Sequence, residues 1–295
     1  MADMPLHHKV TTPDGRTLAV VEHGPPDGPV VLGHHGTPGS NAFDRSEREA
    51  ADALGLRLIA YDRPGYGGSS PHAGRSVADV AGDVAAILDA LGVGRFATYG
   101  GSGGGPHALA CAALLPDRCA AVATIAGVGP IDAPDLDWLA GMGEGNHAEI
   151  AAAREGRDAL ADYCRADAAE IMAVGPEELV DAMRPHLSAV DAAALTGELA
   201  EHMLASLGRA LAPGVEGWVD DDYAFLAPWG FDPAAIRVPV RVWQGEEDLM
   251  VPPSHGHWLL RHVAGAEGEV LPGEGHLTFR SRMGEILGWL RARLD

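Results

Sequence analysis

The chain has 295 residues, 46% of them hydrophobic, which suits one large α/β domain with a substantial core. Its formal net charge of −21 argues against nucleic acid binding, which needs a basic face, and no run of about 18 apolar residues exists to form a membrane span. Met1–His8 lacks the basic and apolar regions of a secretory signal, and Cys111, Cys119 and Cys164 lack metal-like or disulfide-framework spacing, so a reducing cytoplasm is the expected setting.

In chain order, Lys9–Thr12 and Arg16–Glu22 read as a hairpin around Pro13-Asp14-Gly15 at a sheet edge. Lys9 is the only lysine, which removes Walker A and makes Schiff-base chemistry improbable. Val30-Val31-Leu32 suits a buried strand and runs at once into Gly33-His34-His35-Gly36-Thr37-Pro38-Gly39. A helix near Arg45–Leu54, a strand at Leu56–Tyr61 and a turn-dense loop, Asp62–Ser70, follow. Ser76–Leu91 is the clearest helix: Val77, Val80, Val84, Ile87, Leu88 and Leu91 share a face, Ser76-x-x-Asp79 starts it and Gly92 stops it. A strand then enters Gly100-Gly101-Ser102-Gly103-Gly104, and an apolar-periodic helix leaves it through Leu109 and Leu115. Another strand is expected at Cys119–Ala126. The alternation of strand and helix implies a mostly parallel central sheet covered on both faces.

After Gly129-Pro130 the texture changes. Residues 131–228 show no strand pattern and are rich in alanine and acids, with helical patterns near Ala148–Ala166, Pro176–Met183 and Ala189–Leu211. They are expected to form a helical cap inserted into a core made of residues 1–130 and 229–295. The core resumes with a strand at Val238–Trp243, a helix at Pro252–Val263, a strand at Glu269–Leu271 and a helix at Phe279–Leu294.

The G-x-S-x-G at Ser102 reads as a sharp strand-to-helix turn that strains the serine backbone and holds its hydroxyl beside a helix N-terminus. On this pattern alone two other readings stand: a flexible glycine loop, and a dinucleotide fingerprint at Gly103-x-Gly105-x-x-Ala108. The fingerprint calls for an acid ending the next strand, where Gly127-Val128-Gly129-Pro130 stands instead. A serine nucleophile needs a base and an orienting carboxylate on loops at the carboxyl ends of strands. Gln244–Pro252 offers Glu246, Glu247 and Asp248, and Pro272–Leu277 offers His276. The chain order serine, acid, histidine is the one this sheet architecture uses.

Four segments together resemble the α/β-hydrolase fold superfamily, in the subgroup with a helical cap. They are His35-Gly36-Thr37-Pro38-Gly39, Asp62-Arg63-Pro64-Gly65-Tyr66-Gly67-Gly68-Ser69, the serine turn, and Gly245-x-x-Asp248-x-x-Val251-Pro252 with Gly275-His276. The resemblance selects Asp248 from the three acids. It implies a triad of Ser102, Asp248 and His276, an oxyanion hole from the backbone N–H groups of Gly103 and Thr37, no cofactor and no metal. The three glycines after Ser102 depart from the commoner turn, in which a bulkier residue follows the serine.

A serine at the turn argues against the haloalkane dehalogenase and epoxide hydrolase branches, which form an ester to a carboxylate. The leading expectation is a carboxylesterase acting on a small-molecule ester or lactone; a proline-iminopeptidase type of aminopeptidase and a carbon–carbon hydrolase are alternatives on the same triad. Aminopeptidase relatives hold the substrate amine with cap carboxylates, a role open to Asp220, Asp221 and Asp222. A small-molecule binding protein is the non-enzymatic alternative. His34-His35 and His255-x-His257 are not expected to bind metal. Trp138, Met142, Trp218, Tyr223, Phe225 and Trp229 are expected either to line an apolar acyl site or to form cap core.

Overall fold

The computed structural model describes residues 6–294. Eight strands form one sheet: β1 (Leu6–Thr11), β2 (Thr17–His23), β3 (Val30–His34), β4 (Arg57–Tyr61), β5 (Phe96–Gly101), β6 (Cys119–Ile125), β7 (Val240–Gly245) and β8 (Glu267–Leu271). Their order is β1-β2-β4-β3-β5-β6-β7-β8. β1 pairs antiparallel with β2, and β2 with β4; every other pairing is parallel. The central strands explain the continuous apolar runs of the sequence, because β3 and β6 are buried along their whole length.

Helices α1 (Arg45–Leu54), α2 (Val80–Ala90) and α3 (Gly104–Leu114) follow the first strands in turn. Residues 131–239 hold no strand; there run α4 (Glu144–Glu155), α5 (Arg157–Met172), α6 (Leu179–Ala182), α7 (Ala189–Ala194), α8 (Glu198–Ala210) and α9 (Glu216–Phe225). α10 (Pro253–His262) and α11 (Met283–Arg291) complete the chain. Two cores flank the sheet. α2, α3 and α10 bury Val84, Ile87, Leu88, Leu109 and Leu259 on one face. α1 and α11 bury Ala51, Ile286, Leu287 and Leu290 on the other. Each fully buried Leu or Ile contributes about 1.5–3 kcal/mol. Among the described residues, no helix is long and apolar enough to cross a membrane.

The element boundaries depart from the periodicity in instructive places. The helix expected over Ala148–Ala166 is two, broken at Gly156, whose φ is +138°. The pattern at Ala189–Leu211 is likewise split by Thr196 and Gly197, where φ reaches +51°. Only Leu179–Ala182 of the pattern at Pro176–Met183 is α-helical. Ser76-x-x-Asp79 does start a helix, but as a 3₁₀ turn that runs on into α2. α1 carries a stronger signal that the sequence reading passed over. Asp44 caps the N–H of Glu47 while Glu47 returns to the N–H of Asp44, and Gly55 closes the helix in the left-handed region.

Candidate active site

β5 ends at Gly101 and α3 begins at Gly104, so the chain reverses over two residues. Ser102 takes a φ of +53°, a region a side chain enters only under constraint. The constraint is close packing. A Cβ on Gly100 would lie 2.0 Å from the Gly104 carbonyl oxygen, and one on Gly104 2.3 Å from the His34 carbonyl oxygen. The turn is tied to the next strand by the Ser102 N–H, which donates to the Ile125 carbonyl at 2.8 Å. The hydroxyl therefore stands at the carboxyl edge of the sheet, beside the start of α3.

Asp248 lies in the loop after β7 and His276 in the loop after β8. His276 Nδ1–H donates to Asp248 Oδ2 at 2.9 Å, with Asp248 fully enclosed. The other carboxylate oxygen accepts the N–H groups of Met250 and Val251, at 2.9 and 2.8 Å, and Gln244 Nε2 donates to Oδ2. These donors fix the carboxylate, which fixes the imidazole. Burial alone would lower the His276 pKa, but the charge and hydrogen bond of Asp248, with help from Asp191, raise it above the ordinary histidine value.

The loop after β3 brings Thr37 to the same place. A Cβ on Gly36 would lie 3.5 Å from the Ser102 Cβ, and one on Gly103 2.4 Å from the Thr37 hydroxyl. Among the described residues, neither the Thr37 nor the Gly103 N–H has an acceptor within the protein. Ser102, Thr37, Gly103 and His276 all line one cavity of about 400 Å³, a volume suited to a small molecule. Among the described residues, no hydrogen bond joins the Ser102 hydroxyl to His276; the two side chains share the wall of the cavity.

A family model described as alpha/beta hydrolase fold matches residues 29–281. The chain belongs to the α/β-hydrolase fold family. Within it, the chain is 33% identical over 153 residues to epoxide hydrolase B of Mycobacterium tuberculosis, an overlap of 49% of this chain and 43% of that one. It is 30% identical over 139 residues to a proline iminopeptidase of Xylella fastidiosa, covering 46% and 44%. The match to each of these curated relatives thus spans less than half of its length. Among solved structures, a thermophilic esterase from Thermogutta terrifontis superposes with a TM-score of 0.71 at 24% identity, over 98% of this chain and all of that one; this is a likeness of fold.

The structure sorts the expected pocket residues of this α/β hydrolase. Trp138, Met142, Trp218 and Phe225 line the cavity. Tyr223 and Trp229 do not. The Tyr223 hydroxyl donates to the Ala153 carbonyl inside the helical segment, and Trp229 stacks on Phe231 beside the start of α2. Both sit on apolar-patterned stretches, and composition alone could not tell core from lining. The Asp220–Asp222 run is also divided. Asp220 pairs with Arg75 and Arg157, and Asp221 with Arg63 and Arg75, both away from the cavity; only Asp222 faces it. His35 accepts the Arg63 N–H, and His255 bridges Gly129 and Trp138, so both serve the backbone.

Sequence reasoning missed Asp191. Its carboxylate accepts the N–H groups of His276 and Leu277, at 2.9 and 2.7 Å, and so holds the histidine loop from α7. A Cβ on Gly275 would strike that carboxylate at 2.5 Å, which explains the glycine before His276. Ser188-x-x-Asp191 signalled only a helix start; its long-range duty has no sequence mark. Glu149 was missed as well. It lines the cavity beside Asp222 and accepts the Trp218 indole N–H at 2.6 Å. Burial pushes Glu149 up to about 7, and burial together with the neighbouring Glu149 carboxyl raises Asp222 well above the carboxylate range. Cys164 comes within 4.8 Å of both, and burial together with the Asp222 carboxylate raises its thiol pKa.

Proposed function

We propose that this α/β hydrolase cleaves a small-molecule carboxylic ester or lactone through an acyl-enzyme on Ser102. The observation that supports it most is the Asp248–His276 hydrogen bond on the cavity that Ser102 also lines. Asp248 occupies Nδ1 of the imidazole, which leaves Nε2 to take a proton. In this reading the Ser102 oxygen attacks the carbonyl carbon while its proton passes to His276 Nε2. The Thr37 and Gly103 N–H groups receive the oxyanion. The carbonyl re-forms, the C–O bond breaks, and His276 gives the proton to the departing alkoxide. Water then attacks the acyl-enzyme, His276 taking its proton and returning it to Ser102 as the acid leaves. Residues 131–228 act as a cap over the cavity, to whose lining they contribute Trp138, Met142, Glu149 and Trp218.

The curated relatives carry names that include epoxide hydrolase, putative carbamate hydrolase, proline iminopeptidase and esterase/perhydrolase, so they leave the scissile bond open. A serine at residue 102 supports acyl transfer over the epoxide-hydrolase reading, since it supplies no carboxylate to alkylate. A second reading is favoured by one feature: two buried carboxyls, Glu149 and Asp222, lie close together on the cavity lining and would suit a substrate bearing a protonated amine. The likeness to proline iminopeptidases fits that reading.

Kinetics on p-nitrophenyl esters of rising chain length, simple lactones and a prolyl arylamide test both readings in one panel. The ester reading expects turnover of short esters or lactones, stoichiometric labelling of the wild type by a fluorophosphonate, and a fall of about 10⁴-fold or more in Ser102→Ala. Full activity in Ser102→Ala would refute it. Preference for the prolyl arylamide, lost with a raised KM in Glu149→Gln, would select the amine reading instead.

A further inference from the structure

Asp221 lies on α9, yet every partner of its carboxylate belongs to the sheet-bearing part of the chain. Oδ2 accepts from Arg63 Nη2 at 2.6 Å, from the Thr37 hydroxyl at 2.8 Å and from the Tyr66 hydroxyl at 3.0 Å; Oδ1 accepts from Arg75 Nη2 at 2.7 Å. Arg63 donates onward to the His35 carbonyl, to the Gly36 carbonyl at 3.0 Å and to the Thr37 hydroxyl at 2.9 Å. Two side chains therefore hold three consecutive residues, His35, Gly36 and Thr37. The charged pair is withdrawn from solvent: Arg63 and Asp221 are almost completely buried. α9 is pressed against the loop that carries Arg63. Gly65 and Gly217 meet backbone to backbone, and a Cβ on either would lie within 2.8 Å of the other's main chain.

This arrangement is a poor device for stability and a good one for direction. A buried ion pair gains little over apolar packing of the same volume. A forked guanidinium–carboxylate contact does restrict angles, because two parallel hydrogen bonds define one orientation. The Thr37 hydroxyl is engaged on both sides, accepting from Arg63 and donating to Asp221, so its side chain and the main chain beneath it have one setting. That residue touches Gly103, and among the described residues neither N–H has an acceptor in the protein. Oxyanion donors act only within a few tenths of an ångström of their best position.

We propose that Asp221 is a positioning residue for the reaction: through the Thr37 hydroxyl and Arg63 it aims the Thr37 N–H at the oxyanion, so that the oxyanion hole is complete only when α9 is docked. This rests on the reading of Thr37 and Gly103 as the oxyanion donors. The helical segment then does more than cover the cavity. Its seating on Arg63 couples closure to the competence of the site, and a displaced α9 leaves Ser102 and His276 in place beside a mis-aimed donor.

The test compares full-length Asp221→Asn, Thr37→Val and Thr37→Ser with the wild type, using the best ester of the panel and a trifluoromethyl ketone whose serine adduct carries the oxyanion. Asp221→Asn is expected to lower kcat about 10–100-fold while KM moves less than about threefold, since the donor matters in the transition state and not in ground-state binding. The Ki of the ketone should rise by the same factor as kcat falls. Thr37→Val, which keeps the backbone N–H and loses only the hydroxyl tether, should reproduce the pattern, and Thr37→Ser should recover most of that loss. A purely structural role would raise KM and the ketone Ki together and leave kcat near the wild-type value; that result, or wild-type kinetics in folded Asp221→Asn, overturns the proposal. If Asp221→Asn does not fold, Thr37→Val decides alone, and wild-type kcat in it overturns the proposal. Failure of the underlying reading is separable by placing the α-hydroxy-acid analogue of threonine at position 37, which turns its N–H into an ester oxygen: an unchanged ketone Ki there would refute Thr37 as a donor, whereas a raised Ki there with wild-type kinetics in Asp221→Asn would refute only the role of Asp221.

Discussion

At the scale of single residues, the proposed chemistry depends on the charge state of His276. The imidazole must be neutral to accept the Ser102 proton, and Asp248 raises its pKa against the opposing effect of burial. Activity is therefore expected to rise with pH through a limb lying above the ordinary histidine value of about 6.5. Asp248→Asn removes the raising charge, so its limb should shift to lower pH while kcat falls by about 10⁴-fold, as when a triad carboxylate loses its charge and the imidazole its tautomer. A kcat/KM profile between pH 5 and 9 measures both; an unmoved limb would mean that Asp248 does not govern His276. Ser102, Asp248 and His276 were all legible in the sequence as residue types on the right loops. The choice of Asp248 over Glu246 and Glu247 came from resemblance, and its physical ground is visible only in the fold: Asp248 alone of the three is turned inward, held by Met250, Val251 and Gln244.

At the scale of elements, the turn from β5 into α3 is the most constrained piece of the chain. Gly100 and Gly104 are required by contact and not by flexibility, since each Cβ would overlap a carbonyl oxygen. Gly100→Ala is expected to lower the melting temperature by more than about 5 °C, because backbone must move to admit the methyl group. Thermal denaturation followed by circular dichroism measures it, and an unchanged transition would show that the turn is looser than its geometry. The flanking glycines were readable from the G-x-S-x-G pattern. The breaks at Gly156 and Gly197 were not, because alanine-rich acidic stretches keep a helical period through a single glycine and only packing decides where the axis turns.

At the scale of the whole molecule, the helical segment and α1 each bring a buried carboxyl to the cavity. Glu149 is held protonated to about pH 7 by burial, and Glu47, at another part of the lining, is pushed up to about 7 by burial despite the Tyr99 hydrogen bond. A carboxyl whose folded pKa is raised binds more protons folded than unfolded. Its contribution to stability is complete below the unfolded value, near 4.5, and is lost as pH rises through about 7. The melting temperature is therefore expected to fall between pH 5 and pH 8, and Glu149→Gln should flatten that slope; a slope unaltered in the variant would assign it to the surface charge instead. The sequence by itself determined a mostly parallel sheet through strand–helix alternation, and the resemblance of four of its segments pointed to the α/β-hydrolase fold, because these are local patterns whose periods and turns need no knowledge of distant contacts. Only the tertiary structure decided which acids face the cavity, that Asp191 holds the histidine loop, and that Asp221 reaches Thr37. Those duties join residues 85 to 184 positions apart, and burial and orientation at such separations are set by how the helices pack and leave no mark on the residues themselves.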